Sequence, residues 1–155
     1  MNKLSPPILL ATWFGSGWLK PAPGTWGTLA ALPFGIGLLY LDNIVLHLAA
    51  IAAVTLIGLW SARIFDQQSG THDSKHIVID EAAGLWITML AATLNPITIA
   101  ASFLLFRAFD ILKPWPISIA DKRINGSLGV MLDDILAGAI AGFILLGGRY
   151  VTGFS

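Results

Sequence analysis

The sequence contains no cysteine. That excludes a disulfide scaffold, a zinc site built on thiolates and a cysteine-nucleophile enzyme. It is also poor in charge. Asp, Glu, Lys and Arg make up 12% of the 155 residues, against roughly 25% in a soluble domain. Nine basic residues balance nine acidic ones, so the basic surface that a nucleic-acid binder needs is missing. Low hydrophobicity, the mark of a disordered chain, is missing too: apolar residues make up 55% and the mean hydropathy is +0.75. No long repeat, low-complexity tract or linker divides the chain. What remains is a small integral membrane protein, read as a single domain over residues 1–155.

The charges cluster, and their gaps mark the membrane segments. Residues 43–62, NIVLHLAAIAAVTLIGLWSA, form twenty residues without a formal charge when His47 is neutral, the length of a spanning helix. Residues 82–106 are also uncharged, but Asn95-Pro96 interrupts them. Proline removes a backbone donor and ends or kinks a helix, so a helix to about Leu94, a turn, and a second helix through Phe106 towards Leu112 are predicted. Residues 28–41 and 135–148 are uncharged runs of fourteen. Fourteen helical residues cover only about 21 Å, so these helices must borrow flanking residues, tilt, or enter without crossing. Short apolar runs also occur in buried helices of soluble proteins; the twenty-residue run and the low charge favour the membrane. Residues 1–19, with Trp13 and Trp18, read as an interfacial segment, and no small-x-small cleavage site marks them as a signal peptide. The predicted fold is all-α, a membrane-embedded bundle of about four to five helices plus this N-terminal interfacial helix.

Threading the chain through these segments places Lys3, Lys20, Arg63, Lys75, Arg107, Lys113, Lys122 and Arg123 on one side, and Arg149 alone on the other. Under the positive-inside rule the crowded side is the cytoplasm. The acids divide the same way, with Asp42 alone outside. Ionisable chemistry gathered on one face points to an enzyme acting there. A transporter would place polar groups at mid-membrane, and His47 is the only such residue, more simply read as packed or hydrogen-bonded.

Three acidic groups stand at the ends of apolar runs. Asp80-Glu81 closes HDSKHIVIDE and opens an apolar helix; an N-cap accounts for one of the two. Arg107, Asp110 and Lys113 lie in FRAFDILKPWPI, where a spacing of three sets Asp110 beside both cations. A local ion pair is the plainer reading, but charge next to lipid is costly unless it pairs or functions. Asp133-Asp134 lies in GSLGVMLDDILAG, where one Asp can cap the helix that follows. Together these are five carboxylates on three helix ends at one face. An oxygen-rich set suits Mg2+ with a phosphate substrate; the histidine and thiolate content of a zinc site is absent. Lys20, Arg107 and Lys113 are the cations available to offset an anionic substrate. In KPAPGTWGTLAALP, Thr25 is placed to cap the next helix, whose free N–H groups suit phosphate; an ordinary turn and cap reads equally well, and no GxxxxGK[ST] loop is present. His72, beside Asp73 in a polar loop, is a candidate proton donor to a leaving oxygen or a solvated loop residue.

The stretches PGTWGTLAALP (23–33), HDSKHIVIDEAAG (72–84), FRAFDILKPWPI (106–117) and GVMLDDILAG (129–138) resemble the signature blocks of the phosphatidylglycerophosphatase A family, in that family's order. The resemblance covers about residues 15 to 145 and rests most on the FD-x-x-KP and LDD blocks together. It implies an all-helical, Mg2+-dependent phosphatase of the bacterial inner membrane. Its substrate would be the phospholipid phosphatidylglycerophosphate, cut to phosphatidylglycerol and phosphate. Asp80, Glu81, Asp110, Lys113, Asp133 and Asp134 match the family's charged motif positions, and Thr25 and His72 match its other blocks.

These readings combine into an expected mechanism. Asp80, Glu81, Asp110, Asp133 and Asp134 are the candidate ligands of one or two Mg2+ ions. Lys113, with Arg107 or Lys20, would stabilise the phosphate oxygens, and a carboxylate not used as a ligand would act as base. Attack by Asp110 is the alternative to attack by water; water is favoured because no D-x-D motif is present. A phosphoalcohol transferase, the nearest other head-group enzyme, resembles a D-G-x2-A-R…G-x3-D-x3-D pattern that this chain lacks.

Overall fold

The structure is a computed structural model that describes residues 2–71 and 74–153. Among these residues it is all helical, with no strand. The elements are α1 (Pro6–Ala11), α2 (Pro23–Leu41), α3 (Ile44–Ser69), α4 (Ile79–Met89), α5 (Pro96–Leu112), α6 (Ile117–Arg123) and α7 (Ser127–Thr152), with a single 3-10 turn at Ser16–Trp18. Three of them, α2, α3 and α7, are long and apolar enough to cross a membrane. The expectation of four to five is therefore corrected downward. At 1.5 Å per residue, the eleven residues of α4 extend about 16 Å, and a hydrocarbon core is about 30 Å thick.

Helix α4 is instead the centre of the bundle. Ten of its eleven residues are buried, from Ile79 to Met89 with only Ile87 part-exposed. It stops at Met89, five residues before the predicted Leu94, and a turn leads to Asn95, whose side chain accepts from the Ile97 N–H to cap α5. Pro96 sits at the first position of α5, where its fixed φ and missing N–H suit a helix start. The predicted break at Asn95-Pro96 is found there.

Close approach of α4 to α7 depends on two glycines. A Cβ at Gly138 of α7 would collide with the backbone of Gly84 of α4, and a Cβ at Gly84 would meet the Phe106 ring and the Asp134 carbonyl. Small residues of this kind let helix backbones approach in a membrane. Thr88 adds a hydrogen bond across the same crossing, from its hydroxyl to the Gly138 carbonyl at 3.1 Å.

The outer faces of the long helices carry large exposed apolar side chains: Phe34 and Tyr40 on α2, Val45 and Leu56 on α3, Phe143 and Leu146 on α7. Exposed apolar surface on this scale fits a lipid environment. The predicted interfacial helix over 1–19 takes another form. The α-helix lasts only six residues, and Ile8, Ala11 and Trp13 are buried against the bundle. The Val78 N–H donates to the Ala11 carbonyl at 2.9 Å, and His76 Nδ1 bonds the Gly17 carbonyl at 2.8 Å. The segment thereby braces the loop that leads into α4.

At the end of the bundle away from α4's first turn, His47 Nε2 bonds the Trp86 carbonyl at 2.9 Å, so His47 is a packed, hydrogen-bonded residue. Arg149 donates to the Ala91 carbonyl at 2.7 Å, which ties the last turns of α7 to the turn between α4 and α5.

Candidate active site

The alternation of helix directions brings the start of α2, the start of α4, the end of α5 and the first turns of α7 to one end of the bundle. Each contributes polar side chains. Among the described residues, Asp110, Asp133 and Asp134 can each present one carboxylate oxygen such that all three lie within 4.8 Å of one another. Asp133 and Asp134 are buried, and Asp110 is half-buried. Asp80, also buried, faces this group closely enough for its charge to be felt by Asp134.

Two cations offset these acids. Arg107 Nη1 donates to Glu81 Oε2 at 2.5 Å and to Asp110 Oδ2 at 2.6 Å. Lys113 Nζ donates to Asp133 Oδ2 and to Asp121 Oδ1, each at 2.5 Å. The sequence placed Asp110 beside both Arg107 and Lys113. Only Arg107 pairs with it, because Lys113 ends α5 in the left-handed conformation, φ 44°. That rotation takes its side chain off the helix stripe and across to α6 and α7.

Five carboxylates (Asp80, Glu81, Asp110, Asp133 and Asp134) thus face two cations. Asp80 Oδ1 and Asp134 Oδ2 are buried without a hydrogen-bond partner among the described residues, a costly arrangement for acceptor atoms. Burial first, and then the charges of Glu81, Asp133 and Asp110, push the Asp80 carboxyl well above its usual range. Burial and the Asp110 charge push Glu81 up to about 8, although Arg107 and Thr28 pull it back. Burial alone would lower the Lys113 ammonium. Its hydrogen bonds to Asp121 and Asp133 outweigh that and hold it above its usual range. Hard, all-oxygen donors with unused lone pairs and excess negative charge suit a divalent cation such as Mg2+.

The acid pairs are not caps. The first position of α4 is Ile79 and its N-cap is Val78, with no side-chain cap; Asp80 and Glu81 fall in the first turn. Helix α7 begins at Ser127, so Asp133 and Asp134 lie almost two turns inside it. Glu81 is held by Arg107, whose Nη1 it shares with Asp110, and by the Thr28 hydroxyl, which donates to Glu81 Oε2 at 2.8 Å.

Thr25 does not cap α2 either. Pro23 starts the helix two residues earlier, the N-cap is Ala22, and Thr25 falls at the third helical position. Lys20 is exposed on the loop before α2. Among the described residues no hydrogen bond or ion pair joins Lys20 or Thr25 to the acidic cluster. His72 lies outside the described residues. Two contributors escaped the sequence reading, Thr28 and Asp121. Thr28 had a signal: it lies four residues after Gly24, so both share one face of α2, and a Cβ at Gly24 would run into Glu81 and Arg107.

A cavity of about 210 Å³ opens beside the cluster, lined by Ser74, Lys75, Asp110, Lys113, Asp133 and Asp134 among others. It is polar, partly enclosed and edged by both lysines. The arrangement can hold a cation in its carboxylates and a phosphate against Lys113.

The family model of phosphatidylglycerophosphatase A matches residues 9–149. A protein of Haemophilus influenzae named phosphatidylglycerophosphatase A is 40% identical over 151 residues, covering 97% of this chain and 93% of that protein. One of the same name from Escherichia coli is 41% identical over 145 residues, 92% of this chain and 84% of that protein. A third, from Bacteroides thetaiotaomicron and provisionally named a phosphatidylinositol-3-phosphatase, is 37% identical over 154 residues, 95% of this chain and 96% of that protein. No solved structure matches the chain.

Proposed function

The chain belongs to the phosphatidylglycerophosphatase A family, and from that membership we propose that it hydrolyses the terminal phosphate monoester of phosphatidylglycerophosphate. The products are phosphatidylglycerol and inorganic phosphate, a step of phospholipid biosynthesis. The enzyme is a membrane phosphatase of the bacterial inner membrane with its site on the cytoplasmic face; the one-sided distribution of basic residues supports that orientation. The observation that carries the reading is the convergence of Asp110, Asp133 and Asp134, with a partnerless buried oxygen on Asp134, at the end of a lipid-facing bundle.

Asp110, Asp133 and Asp134 are the residues that would hold Mg2+, which would supply charge neutralisation at the phosphoryl oxygens and a lowered pKa for water. Lys113 donates to a phosphate oxygen and offsets charge that develops on it. Asp80 Oδ1, buried and without a partner, accepts the proton of the attacking water as the new P–O bond forms. The ester P–O bond breaks on the opposite side, and the leaving glycerol oxygen takes a proton, for which His72 is the donor in the sequence reading. Arg107 fixes Asp110 and Glu81 in register. Glu81, held by Arg107 and Thr28, acts as a structural counter-charge rather than a ligand.

The Bacteroides relative's name favours a second reading, the same chemistry on a phosphoinositide head group. The test is phosphate release by the purified protein in detergent. Its arms are phosphatidylglycerophosphate with Mg2+, the same with EDTA, and phosphatidylinositol 3-phosphate with Mg2+. Release from the first lipid that EDTA abolishes and Mg2+ restores is expected. Release that persists in EDTA overturns the metal assignment, and release from the inositol lipid alone overturns the substrate.

A further inference from the structure

We propose that Asp121 is a positioning residue for Lys113, and that α6 exists in this fold to present it. The inference rests on the phosphatase reading above. Lysine has a flexible stem whose freedom must be given up somewhere. Here Lys113 sits at the end of α5 in the left-handed conformation, where its stem has left the support of the helix. Two carboxylates on different elements then grip its ammonium: Asp133 of α7 and Asp121 of α6, each at 2.5 Å. An ammonium has three N–H donors. These two contacts take two of them and leave the third for an anion in the cavity that Lys113, Asp121 and Asp133 all line.

The construction of α6 supports this role. Pro114 and Pro116 turn the chain after Lys113, and α6 runs for only seven residues. It is anchored by Ile117, fully buried, and Ala120. Asp121 follows Ala120 and is partly exposed, with 43% of its side chain open. A surface ion pair contributes little to stability, so Asp121 adds little by holding α6 down. Its contribution is to order the lysine before the substrate arrives, which lowers the ordering cost of binding.

An interaction that is equally present with bound substrate and in the transition state acts on KM and leaves kcat alone. Replacing Asp121 with Ala is therefore expected to raise KM for phosphatidylglycerophosphate about tenfold while kcat stays within about twofold. Asp121→Glu, which keeps the carboxylate, is expected to recover most of the loss. Inorganic phosphate, used as a competitive inhibitor, is expected to weaken in parallel with KM for Asp121→Ala. The melting temperature in detergent is expected to hold. An unchanged or lower KM overturns the inference, because Asp121 then leaves the lysine alone or competes with phosphate for it. A fall in kcat together with a lower melting temperature also overturns it, since that is the result of a structural role only. Wild-type protein is assayed beside the variants. If it releases no phosphate from this lipid, the phosphatase reading itself fails and takes the inference with it; if it is active and Asp121→Ala matches it, only the inference fails.

Discussion

Thr28 makes the sharpest residue-scale test of how the site is held. Its hydroxyl lies 2.8 Å from Glu81 Oε2 and 2.9 Å from the Gly24 carbonyl, fully buried. Thr28→Val keeps the shape and removes the donor to a buried carboxylate, a change that costs about 1–3 kcal/mol. Thr28→Ser is expected to retain most of that stability, and thermal melting of the two variants in detergent checks the difference. Much of the site was legible at this scale. Asp80, Asp110, Asp133 and Asp134 stand out in the sequence as acids at the edges of apolar runs and as matches to the family's charged motif positions, and the fold brings Asp110, Asp133 and Asp134 together. The partners were less legible. Lys113 pairs away from Asp110 because of a left-handed backbone conformation that Lys-Pro does not announce. Asp121 was not singled out, because only α6 carries it back to the lysine. Glu81 carries the same charge as its neighbour Asp80, and only Arg107 and Thr28 tell the two apart.

At the scale of elements, the crossing of α4 and α7 sets the distance between Asp80 and the Asp133–Asp134 pair. Gly138→Ala inserts a methyl group where the Gly84 backbone already lies. Overpacking of this kind costs about 1–3 kcal/mol, and the two helices must separate to relieve it. The expected outcome is a lower melting temperature together with reduced phosphate release. Gly147→Ala on the same helix, where a Cβ meets open space, is expected to leave both unchanged. The sequence located the break at Asn95-Pro96 and the end of α5 at Leu112, because proline and a cap residue act locally. It placed the start of α7 eight residues late, since counting uncharged residues stops at Asp133-Asp134 while the helix runs through them from Ser127. Helix α6 was missed because seven residues after two prolines carry too little periodicity to read.

The whole molecule is a lipid-facing shell of α2, α3 and α7 around a short buried helix whose first turn opens on the carboxylates. Membrane class was legible from composition, and three long apolar helices agree with it. The number of crossings was not, because an uncharged run reads the same in a spanning helix and in a helix buried by its neighbours. In the proposed function a cation and a phosphate would stand in for the water that these buried aspartates have lost. The measurement that tests the account most directly is phosphate release from phosphatidylglycerophosphate by Asp134→Asn, set against wild-type protein inserted to the same level in membranes. Full insertion with release reduced by about 100-fold or more is expected, since Asp134 Oδ2 has no hydrogen-bond partner among the described residues. Release near the wild-type rate from equally inserted protein would contradict it.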